Sequence, residues 1–299
     1  MDRAKSTLEQ WRILQAVVDY GGYSQAAEQL NKSQSSLNHA VAKLQFQLGV
    51  QLLEVKGRKA YLTECGEVLL RRSRHITQSV NELEMLASNL ERGWEPQLTI
   101  AREIIYPMGH LVDALSEFLP QSRGTRVTII DTVITGTSEL INNQSVDLAI
   151  CGGPPPKGHI AEPLLDIDFI LVCHPEHPLA QLSHIEDDQT LAQQLQIVIK
   201  DTALSPNTDL GWLKAEQRWT VSNFHEAIAI LKKRMGFCWV PQHLVQVEID
   251  NKSLRQLHLK GSSKRKATLS LVIPNRDKQG PANELLEALI LQHHQAKPT

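Results

Sequence analysis

Residues Gly21–Leu44 read GGYSQAAEQLNKSQSSLNHAVAKL, and this stretch decides the fold of the first quarter of the chain. Two short helical patterns lie in it with a break between them. The first runs from Ser24 to Leu30, with Ser24 placed to cap it and Ala26, Ala27 and Leu30 forming an apolar stripe. Asn31-Lys32-Ser33 supplies the turn. A second helix is predicted from Gln34 to Leu48, with Leu37, Val41, Leu44 and Leu48 on one face at the four-three-four spacing of a buried helical side. The paired small residues Ala26 and Ala27 allow the close crossing that a helix-turn-helix needs. The other face of the second helix carries Ser33, Gln34, Ser35, Ser36, Asn38, His39 and Lys43, side chains of the right kind for base edges and phosphates. The competing reading is two packed helices with a solvated polar face.

Upstream, Thr7 to Tyr20 is predicted to be a helix with Leu8, Trp11, Leu14, Val17 and Val18 buried, completing a three-helix core. Downstream, Gly49 is placed to end the second motif helix. Two short β-like runs in VQLLEVKGRKAYLT then flank Lys56-Gly57-Arg58, a hairpin with a basic tip that suits a narrow minor groove. Lys32, Lys43, Lys56, Arg58, Lys59, Arg71, Arg72 and Arg74 concentrate positive charge here, although the whole chain has a formal net charge of −2. A basic head on a near-neutral chain points to nucleic acid.

Glu64 to Arg92 is a long helical pattern. Leu69, Ile76, Leu83 and Leu90 recur every seven residues, with Val80 and Ala87 between them. That is a coiled-coil seam on a helix roughly 40 Å long, and a second copy of the same helix is its expected partner. After Gly93-Trp94-Glu95-Pro96 the periodicity changes. Strands are predicted at 98–101, 126–131 and 146–151, with helices at 108–119 and 138–143 between them. This β-α-β-α-β order implies parallel strands. Gly152 to Pro156 reads as a hinge. A second set follows, with strands at 168–174, 196–199, 219–222 and 236–240 and helices at 210–216 and 224–234. A strand at 268–273 and a helix at 282–293 return to the first half. Two α/β halves joined by two crossings leave a cleft suited to a small molecule.

With 299 residues, two or three domains are expected. The opening residues lack the apolar core of a signal peptide, and no run approaches the ~20 apolar residues of a membrane span, so a cytoplasmic protein without membrane contact is expected. Cys65, Cys151, Cys173 and Cys238 are scattered without CxxC spacing, as for reduced thiols. Cys173, His174 and His177 have a metal-like spacing, but the His-Pro pairs read as a turn, and no metal or cofactor is expected. GxSxG, Walker, HExxH and GxGxxG motifs are absent, which argues against an enzyme. A solute-binding protein is disfavoured by the basic head.

This order of parts resembles the LysR-type transcriptional regulators over essentially the whole chain. The resemblance is carried by the paired alanines, the Gln-Ser-rich second helix, LGVQLLEVKGR, the LTECG that opens the long helix, VDLAICGG, HPEHPLA and MGFCWVP. It implies an α/β protein with an N-terminal winged helix-turn-helix (1–63), a coiled-coil linker helix (64–92) and a two-lobed, periplasmic-binding-protein-like effector domain (93–299). Lobe I would span about 97–160 and 267–299, and lobe II about 161–266. It further implies a regulator that binds double-stranded DNA at promoter inverted repeats, forms homodimers through the linker helix and homotetramers from those, and responds to a small molecule between the lobes. Gln34, Ser35, Asn38 and His39 would meet base edges, and Tyr23, Ser24, Ser33, Ser36, Lys43 and Arg58 the backbone or minor groove. Ser36 reads equally as a local cap, and His39 as a solvated residue. Effector contacts map to Arg102, Glu103, Asp131, Thr132, Thr135, Asp201, Thr202, Ser222 and Asn223. Arg102 would suit a carboxylate or aromatic acid unless Glu103 or Asp131 neutralises it, and Ser222-Asn223 reads as an anion site or as a plain N-cap. Two departures stand out. Leu44-Gln45 replaces the family's Leu-Glu, and Leu52-Leu53-Glu54-Val55 lacks the family's Arg at Val55, so the wing's grip on DNA would rest on Lys56, Arg58 and Lys59. Cys151 and Cys238 leave open a redox-responsive regulator of the same architecture.

Overall fold

The computed structural model describes residues 4–56, 59–205, 213–260 and 264–295. The chain divides into two units, Met1–Glu91 and Arg92–Thr299.

In the first unit, α1 spans Leu8–Asp19. Thr7 caps it reciprocally with Gln10: the Gln10 N–H donates to Thr7 Oγ1 (3.3 Å) and the Thr7 N–H to Gln10 Oε1 (2.8 Å). The buried stripe is Gln10, Ile13, Leu14, Ala16 and Val17; of the predicted face, Leu14 and Val17 are buried, Trp11 and Val18 pack partly buried against the core, and Leu8 is exposed. The buried Gln10 amide serves the cap and also donates to Gln47 Oε1 at 2.9 Å. Helix α2 spans Tyr23–Gln29 with Gly22 at its N-cap, so Ser24 lies inside the helix rather than capping it. Helix α3, Gln34–Leu48, starts at Ser33, whose hydroxyl accepts from the Ser36 N–H (3.2 Å), and ends at Gly49 in the left-handed region (φ 72°). Leu37, Val41 and Leu44 are fully buried, as their spacing predicts.

Strands β1 (Leu53–Lys56) and β2 (Lys59–Leu62) pair antiparallel, Lys56 opposite Lys59. The tip, Gly57 and Arg58, lies outside the described residues. Helix α4 spans Glu64–Glu91. Its glycine in LTECG has a steric reason: a Cβ on Gly66 would stand 2.1 Å from the Leu52 carbonyl oxygen. Helix α4 buries Gly66, Leu70, Ser73 and Thr77, the last two meeting Gln15 of α1. Leu69 joins the packed core of this unit, whereas Ile76, Leu83 and Leu90 stay exposed.

The second unit is built on one nine-stranded sheet. Its first half holds β3 (Gln97–Glu103), α5 (Met108–Phe118), β4 (Arg126–Thr132), α6 (Thr135–Asn142) and β5 (Leu148–Gly152). Strand β3 runs parallel to both β4 and β5, as the β-α-β-α-β order requires. Then comes β6, Ala161–Cys173, seven residues earlier in its start than predicted. The other half holds α7 (Asp188–Ala192), β7 (Gln196–Ile199), β8 (Arg218–Val221), α8 (Phe224–Leu231), β9 (Phe237–Pro241), α9 (Gln242–Asp250) and β10 (Arg255–Gln256). Strand β7 is parallel to β8 and β9. Of the helix predicted over 210–216, residues 210–212 lie outside the described set and Leu213–Glu216 are not helical. Strand β11, Lys264–Val272, and α10, Pro281–Gln295, close the chain.

Strand order is β4-β3-β5-β11-β6-β9-β7-β8, with β10 on β6. The long antiparallel pair β6 and β11 therefore serves both lobes: β11 pairs with β5 at Leu269–Val272 and with β6 from Lys264 to Val272. The two crossings are strands of the sheet itself. The second unit's main core, which includes Leu98, Ile100, Leu111, Phe118, Leu269 and Leu286, packs under the first half and α10 and continues through Ile170, Val172 and Val240 into the second.

Candidate DNA interface and effector cavity

Helix α3 presents Gln34, Ser35, Ser36, Asn38, His39 and Lys43, all accessible, while Leu37, Val41 and Leu44 face the core. Ser33 Oγ and Ser35 Oγ sit 3.1 Å apart, and Ser24 is exposed on α2. Tyr23 is half-buried against the helical core, and burial raises its phenol pKa. The basic cluster is smaller than its residue count. Lys32 pairs with Glu9, and Arg74 with Asp19, within the unit. Gln45 is half-buried and turned toward the wing. Its Oε1 accepts from the Leu52 N–H (2.7 Å) and the Leu53 N–H (3.1 Å), tying the end of α3 to the start of the wing. The departure at this position therefore bears on the wing's anchorage rather than on a DNA contact, and a neutral amide oxygen accepts these two bonds as a carboxylate would.

In the second unit a cavity of about 540 Å³ opens between the lobes. Apolar side chains dominate its wall: Ile104, Ile105, Val133, Ile134, Phe169, Ile197, Ile199 and Phe224. Gly152, Gly153 and Pro154, read from sequence as a hinge, form part of the same wall. Of the nine residues mapped from sequence, Glu103 and Thr135 line it. The other seven are committed around it. Arg102 donates to Asp131 Oδ1 through Nε (2.7 Å) and Nη2 (2.6 Å) and to the Tyr106 carbonyl through Nη1 (3.3 Å), so its charge is neutralised internally. Thr132 Oγ1 lies 2.6 Å from Thr137 Oγ1, behind the wall. Asp201 accepts from the Thr135 N–H (3.3 Å), the Thr135 hydroxyl and the Ala203 N–H. Thr202 Oγ1 accepts from the Val133 N–H at 2.9 Å. These bonds clamp the β7–β8 connection to residues 133–135 across the cleft. The approach is close enough that a Cβ on Gly136 would meet Thr202 Oγ1 at 2.0 Å. Ser222 and Asn223 form a capping box with Glu226: Ser222 N–H to Oε2 at 2.9 Å, and Glu226 N–H to Asn223 Oδ1 at 3.0 Å. In this structure they cap α8.

Between those clamps Ile134 holds φ 56°, ψ −103°, a conformation that a β-branched residue adopts only under constraint. Beneath it lies Glu103, 3 % exposed. Burial pushes its carboxyl up to about 8, against hydrogen bonds from the Ile134 backbone, Thr137 and the Ile104 backbone that act in the opposite direction, and the Asp201 charge adds to the rise. Glu103 is thus a neutral acid at pH 7.

Apart from Glu103 and Thr135 the wall had no counterpart among the mapped sites, and Phe169, Gln196, Trp239 and Arg265 are among the residues passed over. A signal for Arg265 existed in the period-two alternation of KRKATLSLV, which puts it in phase with Ala267, Leu269 and Leu271. In the sheet it stands opposite Phe169, and its guanidinium lies 4.2 Å over the Trp239 ring. Cys151 and Cys238 are buried, and burial pushes their thiols up to about 11 and about 12, which disfavours the reactive thiolate. His174 Nδ1 and His177 Nδ1 accept turn N–H groups from Glu176 and Leu179. Among the described residues no group of three or more metal-ligating side chains comes together, and no helix is long and apolar enough to cross a membrane.

A helix-turn-helix with a wing, followed by an α/β unit with a cavity between its halves, defines a ligand-responsive DNA-binding regulator. Family models give the particular family: "Bacterial regulatory helix-turn-helix protein, lysR family" matches residues 8–67 and "LysR substrate binding domain" residues 91–295. The chain belongs to the LysR family of DNA-binding transcriptional regulators with an effector-binding domain, a family of regulators rather than enzymes. It is 28 % identical over 254 residues to the uncharacterized HTH-type transcriptional regulator YeeY of Escherichia coli K12, covering 84 % of this chain and 82 % of that one. The RuBisCO operon transcriptional regulator of Allochromatium vinosum is 26 % identical, with 87 % of each chain covered. Among solved structures, CrgA from Neisseria meningitidis aligns with TM-score 0.50 at 21 % identity, covering 98 % of this chain and 99 % of that one. Full-length LysG from Corynebacterium glutamicum with bound effector Arg aligns with TM-score 0.52 at 16 % identity, covering 96 % and 98 %. At these identities the likeness is one of fold.

Proposed function

We propose that this regulator binds an inverted repeat as a homodimer or a dimer of dimers, through α3 in the major groove and the wing beside it. A small molecule in the 540 Å³ cavity then sets its activity. The observation that carries the DNA reading is the two-sided character of α3: Leu37, Val41 and Leu44 are wholly buried while Gln34, Ser35, Asn38 and His39 are open. Gln and Asn pair bidentately with adenine, and a lost pair costs about 1–3 kcal/mol of discrimination. Tyr23, Ser24, Ser33, Ser36, Lys43 and Arg58 are assigned to the sugar-phosphate backbone and minor groove. Dimerisation is supported by Ile76, Leu83 and Leu90, which stay exposed while a neighbouring face of α4, with Leu70, Ser73 and Thr77, packs inside the unit. An apolar seam of heptad spacing finds its natural cover in a second copy. In the effector unit, the domain would divide at 97–160 with 267–299 against 161–266, and a ligand touching both halves would favour one arrangement of them. Selection of bound duplexes from a random pool by the full-length protein tests the proposal: an inverted repeat with half-sites spaced by about 10 bp or a multiple is expected.

A further inference from the structure

Two cations line the cavity wall, Arg265 and Lys266, and Lys266 Nζ lies 3.8 Å from Asp166 Oδ2. Arg265 lies on β11 facing Phe169, its guanidinium 4.2 Å over the Trp239 ring. Among the described residues no salt bridge holds it: Asp188, whose charge bears on it, hydrogen-bonds Lys214 Nζ at 2.8 Å. Partial burial pulls its pKa down, while the residue as a whole stays exposed, so the guanidinium is reachable from the cavity. Stacked on an aromatic face, a guanidinium keeps its N–H edge available for a planar anion. Arg102, by contrast, is held by Asp131 and lies outside the wall.

The remaining wall narrows the ligand further. Glu103 is uncharged at neutral pH, because burial raises its pKa to about 8, and Asp201 already accepts three hydrogen bonds. Neither offers an ammonium group a ready anion. A dicarboxylate would bring a second charge into a wall of Ile, Val and Phe, with a carboxyl already buried in it. The bulk of the space is apolar.

We propose that the cavity binds an apolar monocarboxylate, its carboxylate on the Arg265 guanidinium beside Trp239 and its body against Phe169, Phe224 and the β7 side chains. This inference rests on the reading of the cavity as the effector site, and it places the anion on Arg265 rather than on Arg102.

The test is titration of the full-length protein with a panel of phenylalkyl and alkyl acids, and with the amides and amines of the same bodies. Trp239 emission is followed against a Trp239→Phe control, and Ile197→Trp serves as a variant that fills the cavity. Acids are expected to bind in preference to amides and amines. Arg265→Met should weaken them by about 10–100-fold, the worth of a hydrogen-bonded charge. Arg102→Met should leave their binding within about twofold of wild type. Amides or amines binding as tightly as the acids, or Arg265→Met retaining full affinity, would overturn the carboxylate assignment and leave the cavity reading standing. Binding of acids that Ile197→Trp does not impair would place them outside the cavity and overturn it as well. No response to any member of the panel would count against both.

Discussion

Replacing Glu103 by Gln removes an ionisable group from the wall while keeping its shape and its acceptor oxygen. Glu103 is 3 % exposed and accepts from Thr137 Oγ1 at 3.2 Å. In the unfolded chain its carboxyl titrates near its ordinary value of 4.5, and in the folded chain burial moves it to about 8. Between those two values the folded state holds a proton that the unfolded state has released. Stability from this group is therefore complete below pH 4.5 and falls as pH rises, until it is lost above about pH 8. An interval of roughly 3.5 pH units corresponds to about 5 kcal/mol as an upper bound. Glu103→Gln has no such proton to lose. It should match wild type near pH 5 and exceed it progressively to pH 8.5, by several kcal/mol at the top of the range. Urea unfolding followed by tryptophan fluorescence reads this directly, since Trp94, Trp219 and Trp239 all lie in the second unit. Parallel decline of wild type and Glu103→Gln from pH 5 to 8.5 would refute the claim that Glu103 is a buried neutral acid.

Gln45 gives a second prediction. Gln45→Ala leaves the Leu52 and Leu53 N–H groups without their acceptor and should destabilise the first unit by about 1–3 kcal/mol, whereas Gln45→Glu should hold within about 1 kcal/mol; thermal unfolding distinguishes them. The α4 seam gives a third. Ile76→Asp with Leu83→Asp, both at exposed positions, should shift the sedimentation of the protein toward monomer and weaken DNA binding without lowering helix content; an unchanged oligomer would place the interface elsewhere.

Where local spacing decides the outcome, the sequence was readable to the residue. Leu37, Val41 and Leu44 are buried at the predicted spacing, Gly49 ends α3, and the strand at Gln196–Ile199 has the expected bounds. It failed where partners distant in sequence decide. Strands β6 and β11 extend well before their apolar cores because each is the other's neighbour, so exposed residues such as Glu162, Asp166, Arg265 and Lys266 are carried into the ladder by strand pairing rather than by an apolar pattern. Reading β11 short, from 268, hid Arg265 from the site, whereas Phe169 lay within the predicted strand at 168–174 and was passed over as a core residue. Arg102 and Asp131 were legible as candidates, but only their register on adjacent parallel strands reveals that they satisfy each other. Ser222 and Asn223 fit two roles by residue type, and only the structure shows the Glu226 side chain bonded to the Ser222 N–H and the Glu226 N–H to Asn223.

The central claim is that α3 reads DNA, and the most direct measurement is the duplex selection run side by side on wild type and on Gln34→Ala with Asn38→Ala. Both residues are exposed and the substitutions leave the Leu37, Val41 and Leu44 core untouched. The account predicts a discrete inverted repeat for wild type, with the double variant enriching no site while keeping the same unfolding temperature. Enrichment of the same repeat by both proteins would contradict the assignment of base reading to this helix, and no repeat for wild type would contradict sequence-specific binding itself.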